Sequence, residues 1–338
     1  MKSAEQEKKY FINPYTNLKD IRKYGSLIIE KGRGIYVYDE NNNKYIEGLA
    51  GLWCVALGFN NKRLIKAANK QLNLLPNYHS FTGKVPLTTL KLSEELVKIS
   101  PKSLTKVLYA NSGSESNDTA IKMAWYYQNA LGRTKKKKII SRYRGYHGVT
   151  IMSGSLTGMD YAHKGFDMPR DFVVHTDSPH YYKDSLSQES SSEFVNRLLK
   201  NLEKLIIKEG SQNIAAMILE PIQGAGGVII PPDNYLKGVQ KLLKKNDILL
   251  IVDEVICGFG RTGNMFGCDT FQIKPDMMVI AKGLSSGYIP ISALLINEEI
   301  YETISDYSSI NNVFGHGYTY SGHPVAAAVA LETIKIFK

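Results

Sequence analysis

The apolar run MMVIAK ends at Lys282 and opens into the glycine-bearing turn GLSSG. An ammonium carried into the interior by such a strand costs several kcal/mol unless it is paired or neutralised. A lysine kept neutral in this way is the amine that attacks a carbonyl to form an imine near neutral pH. The alternative for a single lysine is a strand-end side chain that snorkels into solvent. A second group lies in IVDEVICGFGRTG (251–263), where a buried strand ends in two carboxylates and a glycine-rich turn. Successive strand side chains point to opposite faces, so Asp253 and Val255 share one face and Glu254 takes the other. A carboxylate at the end of a parallel strand stands where α/β sheets bind ligands. There it can keep an aromatic ring nitrogen protonated while Val255 presses on the ring, or it can simply cap the next turn.

Two upstream segments could complete such a site. NSGSESND (111–118) follows the strand KVLYA and precedes a helix, so its N–H groups and the positive helix end suit a phosphate. Gly113 permits close backbone approach, and Ser112 and Ser114 add hydroxyls. Ser112 and Glu115 also satisfy a plain capping box that needs no ligand. In YRGYHG (143–148), Tyr146 can stack on a flat heteroaromatic ring and His147 can bond near its edge, although an isolated YHG is more often a packed loop.

The elements that must position these residues are short apolar runs alternating with helical patterns. KVLYA (106–110), KIISRY (138–143), FVVH (172–175), IAAMILE (214–220), ILLIVDE (248–254), MMVIAK (277–282) and SALLIN (292–297) read as strands buried on both faces. Helices are predicted over 115–131, 193–208 and 234–245. This rhythm implies an α/β domain with a parallel sheet, starting near residue 65. Residues 1–60 read as a polar arm and a hairpin, GIYVYDENNNKYIEG, turning at Asp39 to Asn43. The Ser-rich stretch 185–193 reads as a loop before a helix. The chain ends inside a helical pattern without a stop signal, which suggests a fragment.

Composition narrows the partners. The chain has 338 residues, a formal net charge of +10 and 43% hydrophobic residues. Lys135 to Lys138 form the one dense basic run, predicted as a solvated turn, so no nucleic-acid partner is expected. Cys54, Cys257 and Cys268 lack metal or disulfide spacing, so no metal is expected. With no apolar leader and no run near the ~18 residues of a membrane span, a cytoplasmic protein without a membrane partner is expected.

Taken together, the spacing from Leu250 through Asp253, Glu254, Gly258, Arg261, Asp276, Lys282 and Gly287 resembles the attachment-site signature of the class III pyridoxal-phosphate-dependent aminotransferases. NSGSESND and YHG stand upstream in the expected order, and EPIQGAGG (220–227) and GHGYTYSGHP (315–324) are similar to family segments. The resemblance implies a fold type I transferase, α/β, with a mostly parallel central sheet, helices on both faces and a smaller α+β domain. Its parts would be an N-terminal arm with part of the small domain (1–64), a large cofactor-binding domain (65–321), and the start of a helix leading to the C-terminal small domain (322–338). By the same resemblance, Gly113 and Ser114, with Ser112, hold the phosphate of pyridoxal 5'-phosphate, and Tyr146 stacks on its ring near His147. Glu220 and Asp253 lie around the ring, Asp253 on its nitrogen, with Val255 on the opposite face and Lys282 joined to the carbonyl carbon as a Schiff base. Thr319 reaches the phosphate of the neighbouring subunit, which implies a homodimer. HTDSPHYY (175–182) is closest to the branch that moves amino groups from ω-amino acids or amines to pyruvate, in which Trp53, Phe81 and Tyr146 line the substrate pocket. Ser116 departs from the alanine of the family loop. The family's C-terminal arginine for the acceptor carboxylate has no counterpart here. A decarboxylase, racemase or aminomutase would share these residues, and a catalytically silent chain serving as a dimerisation partner is a further alternative.

Overall fold

A computed structural model describes residues 3–338. The N-terminal part forms a three-stranded antiparallel sheet of β1 (Ile29–Arg33), β2 (Tyr36–Asp39) and β3 (Lys44–Ile46). The predicted Asn-rich turn joins β2 to β3 and is built around one carboxylate. Asp39 accepts from the Asn41 and Asn43 N–H groups at 2.9 and 2.8 Å and from the Tyr45 hydroxyl at 3.0 Å. β1 was not legible, because its sequence IEKGR carries no alternation of apolar residues.

All seven predicted runs form strands of one sheet: β4 (Leu104–Ala110), β5 (Lys138–Arg142), β6 (Val173–Thr176), β7 (Ile214–Leu219), β8 (Leu249–Asp253), β9 (Met277–Ile280) and β10 (Ser292–Asn297). Their order is β4-β10-β9-β8-β7-β5-β6. The sheet is mostly parallel, but β10 runs antiparallel to both its neighbours, β4 and β9. The mostly parallel sheet that the resemblance implies is observed, with β10 as its antiparallel member. A parallel return needs about a dozen residues or more, usually with a helix, whereas residues 281–291 hold only the single turn Lys282–Ser285.

Every residue of β7 is buried, as strands covered on both faces must be. Met217 and Leu219 point into one apolar layer with Leu250, Val252, Met278 and Ile280, under the helices Ser191–Glu209 and Tyr235–Lys245. Ala216 and Ile218 point into the other with Ile251, Met277 and Val279, under the helix Gly113–Ala130. Period-two alternation therefore sends Asp253, two residues after Ile251, to the side of that helix and Glu254 to the opposite side. The helix Pro324–Phe337 starts at a proline in its first turn and packs against Lys62–Leu74, where Arg63 pairs with Glu332 at 2.7 Å.

The basic run is not a solvated turn throughout. Lys136 is buried and pairs with Asp247, which also binds Arg133 at 2.8 Å, while Lys138 pairs with Glu209 and Lys137 donates to Asn129 Oδ1. Asp247 and Glu209 lie far away in sequence, so a local reading of four lysines could not find them. Among the described residues, no helix is long and apolar enough to cross a membrane.

Candidate active site

The carboxyl ends of β4, β5, β7, β8 and β9 converge on one cavity of about 270 Å³, lined by Ser112, Gly113, Tyr146, Asp253, Val255 and Lys282, among others. Lys282 stands two residues past the buried end of β9, just after the buried Ala281, with its backbone in the left-handed region at φ 44°. A non-glycine residue is rarely held there, and such strain gathers at functional sites. Its side chain lies on the cavity rather than snorkelling away, and among the described residues no hydrogen bond or ion pair engages its Nζ. Burial pushes the Lys282 ammonium below its usual range, opposed by the charge of Asp253.

Asp253, 2% exposed, accepts three hydrogen bonds. Asn117 Nδ2 and His147 Nδ1 each reach Oδ2 at 2.8 Å, and the Val255 N–H reaches Oδ1 at 3.1 Å. With its Nδ1 proton directed at the carboxylate, the His147 ring is fixed in tautomer and plane. Glu220, just past β7, accepts from the Tyr146 N–H at 3.0 Å and the Gly224 N–H at 2.8 Å, and burial raises its carboxyl above the ordinary range. Glu254 points away, accepting from the Gly267 and Cys268 N–H groups at 2.9 and 2.6 Å. The predicted division of the Asp-Glu pair is therefore observed.

At the end of β4 the capping box is fully formed. The Glu115 N–H donates to Ser112 Oγ at 3.2 Å, and the Ser112 N–H donates back to the Glu115 carboxylate at 3.0 Å. The capped helix end also lines the cavity, so capping and anion binding are compatible readings of the same residues. Gly113 has little room: a Cβ there would meet the Val255 methyls at 3.1 and 3.2 Å. Ser114 Oγ accepts from the Val149 N–H at 3.2 Å, which ties the loop to the Tyr146-His147 turn.

Three candidate residues lie outside this cavity. Trp53 sits on a turn whose residues Ala50, Leu52 and Trp53 all have positive φ, and its carbonyl accepts from Arg261 at 3.0 Å. The next residue, Cys54, packs where a Gly287 Cβ would be, at the cavity edge. Phe81 lies beside Gly317, and Thr319 is exposed two residues further along that loop. Two residues that touch the site were missed. Asn117 lies four residues after Gly113 and so on the same helix face, a spacing that could have marked it. Tyr15, in a segment read as a polar arm, donates its hydroxyl to that of Tyr146 at 3.4 Å, and no local signal announces this contact.

Comparison with known proteins decides the family. Residues 20–338 match the family described as "Aminotransferase class-III". This chain belongs to the class III aminotransferases. Its sequence is 55% identical over 313 residues to a mitochondrial gamma aminobutyrate transaminase 1 of Solanum lycopersicum, covering 92% of this chain and 61% of the relative. It is 53% identical to a vanillin aminotransferase of Capsicum frutescens, covering 92% of this chain and 68% of that one. An omega transaminase from Pseudomonas jessenii in complex with PMP superposes with a TM-score of 0.98 at 52% identity, covering 99% of this chain and 74% of the other. The chain thus spans about 61% of the length of the Solanum relative.

Class III aminotransferases use pyridoxal 5'-phosphate, and the residues of this class III chain fit that group. The site offers a helix N-terminus for a phosphate and a buried acceptor for a ring nitrogen. It also offers a half-buried amine with no engaged partner among the described residues, opposite that acceptor's strand end. Gly113 packs closely against Val255, which fixes the helix N-terminus beside the side chain that would face the ring. Ser112, Gly113 and Ser114 would hold the phosphate, Asp253 the ring nitrogen, Val255 and Tyr146 the ring, and Lys282 the carbonyl carbon.

Proposed function

We propose that this class III aminotransferase transfers the amino group of an ω-amino acid or simple amine to a keto acid, with pyruvate as acceptor. The observation that carries the reading is the pairing, within one cavity, of a lysine amine with no engaged partner among the described residues and a buried aspartate held by three donors. When bound, the cofactor supplies an electron sink for the pair left behind as a C–H bond beside the amino nitrogen breaks. The rest is the work of the chain. Lys282, whose ammonium burial holds below its usual range, can in its neutral form take the proton from that carbon and hand it to the carbon that becomes aminated. Asp253 holds a proton on the ring nitrogen, and its fixed donors spare it from reorganising as charge develops. Tyr146, Val255 and the Ser112–Ser114 loop orient the ring and exclude water from one side.

The ω-amino donor class is supported by the relatives, one named for gamma aminobutyrate, itself a terminal amine, and one for vanillin, an aldehyde whose amination gives one. Trp53 and Phe81 would supply aromatic walls for that donor. Exposure of Thr319 on the 315–319 loop supports a homodimer in which this residue meets the phosphate of the partner subunit. The test is a panel of terminal amines with pyruvate, read as alanine formed. Alanine appearing with γ- or β-amino acids or aryl-alkyl amines supports the proposal; carbon dioxide released without a keto acid, or no turnover of a cofactor-loaded protein, contradicts it.

A further inference from the structure

The side chain of Asn117 is 1% exposed and lies between two acceptors. Its Nδ2 donates to the His147 carbonyl at 2.6 Å and to Asp253 Oδ2 at 2.8 Å. Both contacts are acceptors only, so the amide cannot be turned over without setting its oxygen against two oxygens. The price of this orientation is visible on the other atom: Asn117 Oδ1 is buried and has no hydrogen-bond partner. A buried unpaired carbonyl is destabilising, and a group kept in that state calls for a reason beyond packing.

We infer that Asn117 is a positioning residue for the proposed transamination, holding Asp253 for the ring nitrogen of the cofactor. This rests on the proposed function and adds a residue to it. Asn117 lies one turn into the helix whose first residues would hold the phosphate, so one rigid element sets the distance between the phosphate loop and the aspartate. Through the His147 carbonyl it also fixes the turn that carries Tyr146. The charged or titratable groups around Asp253 are His147 from the end of β5, Glu220 from β7 and Lys282 from β9, with Tyr146 at the rim. Asn117 is the neutral side-chain amide donor to Asp253, so replacing it with alanine changes the balance there without adding or deleting an ion.

Without Asn117, Asp253 keeps only His147 and the Val255 N–H, and the carboxylate competes more strongly for the ring proton. Less positive charge on the ring leaves the nitrogen contributed by Lys282 more basic. The experiment is a pH titration of the visible absorption band of the cofactor-loaded protein, in wild type, Asn117→Ala and the isosteric Asn117→Asp. Loss of one charge-assisted bond is expected to raise the midpoint by about one pH unit and to lower kcat on the order of ten-fold, with the amine KM little changed. Because the substitution to alanine also removes the orphaned carbonyl, cofactor-free protein should melt close to wild type. Asn117→Asp keeps the volume and should shift the midpoint further, which covers the case in which alanine impairs folding. An unchanged midpoint and kcat in folded variants would overturn the inference, as would a lower melting temperature with an unmoved midpoint. Absence of any visible band in the wild type would instead overturn the proposed function.

Discussion

Glu254→Gln should reverse part of the pH dependence of stability. Glu254 is fully buried and accepts only two backbone N–H bonds, and burial pushes its carboxyl from 4.5 up to about 7. Between those values the folded protein keeps a proton that the unfolded chain has released. The stability contributed by the protonated form is therefore complete below about pH 4.5 and is lost as pH rises through about 7. Integrated from pH 5 to pH 8, the loss is about 2.5 kcal/mol, at ~1.36 kcal/mol for each factor of ten. Glutamine does not titrate, but its single oxygen leaves one of the Gly267 and Cys268 N–H groups facing an NH₂, a constant cost of about 1–3 kcal/mol. The variant should accordingly be less stable than wild type at pH 5 and should recover about 2.5 kcal/mol relative to it by pH 8. Urea unfolding of both cofactor-free proteins at the two pH values measures this double difference. A wild type to variant difference that stays constant across pH would refute the reasoning, because it would mean that Glu254 is ionised throughout.

Other substitutions probe separate parts of the site. Gly113→Ala gains about 0.5–1 kcal/mol of helix propensity but drives a Cβ into the Val255 methyls, so apo stability should change little while cofactor affinity, followed by fluorescence titration, falls about ten-fold. Lys136→Ala removes a buried, paired side chain remote from the cavity and should cost about 1–2 kcal/mol in unfolding while leaving kcat untouched. Thr319→Val should weaken cofactor retention on dialysis only under conditions in which sedimentation shows a dimer; equal retention by both proteins would remove Thr319 from the phosphate site.

The central strands were readable because they are buried on both faces and so appear as nearly unbroken apolar runs, and Asp253 and Lys282 were readable because they end such runs. The direction of β10 was not, since a strand's own composition is the same whichever way it runs; only the shortness of residues 281–291 carried that information. Asn117 was hidden inside a segment already explained by its glycine and its capping box. Its function depends on the pleat of β8 sending Asp253 toward that helix, a relation across the sheet that no window of sequence contains. Tyr15 was hidden for the same reason, its partner being far along the chain. Trp53 and Phe81, named from family resemblance, stand beside the cavity rather than in it, on segments placed by Arg261 and by the 315–319 loop.

The most direct test of the central claim is the absorption spectrum of the purified protein with pyridoxal 5'-phosphate, before and after borohydride reduction, in wild type and Lys282→Ala. The expected result is a visible band in the wild type alone, with reduction fixing the cofactor to the peptide that contains Lys282. A band that survives Lys282→Ala, or cofactor fixed to another lysine, would contradict the account.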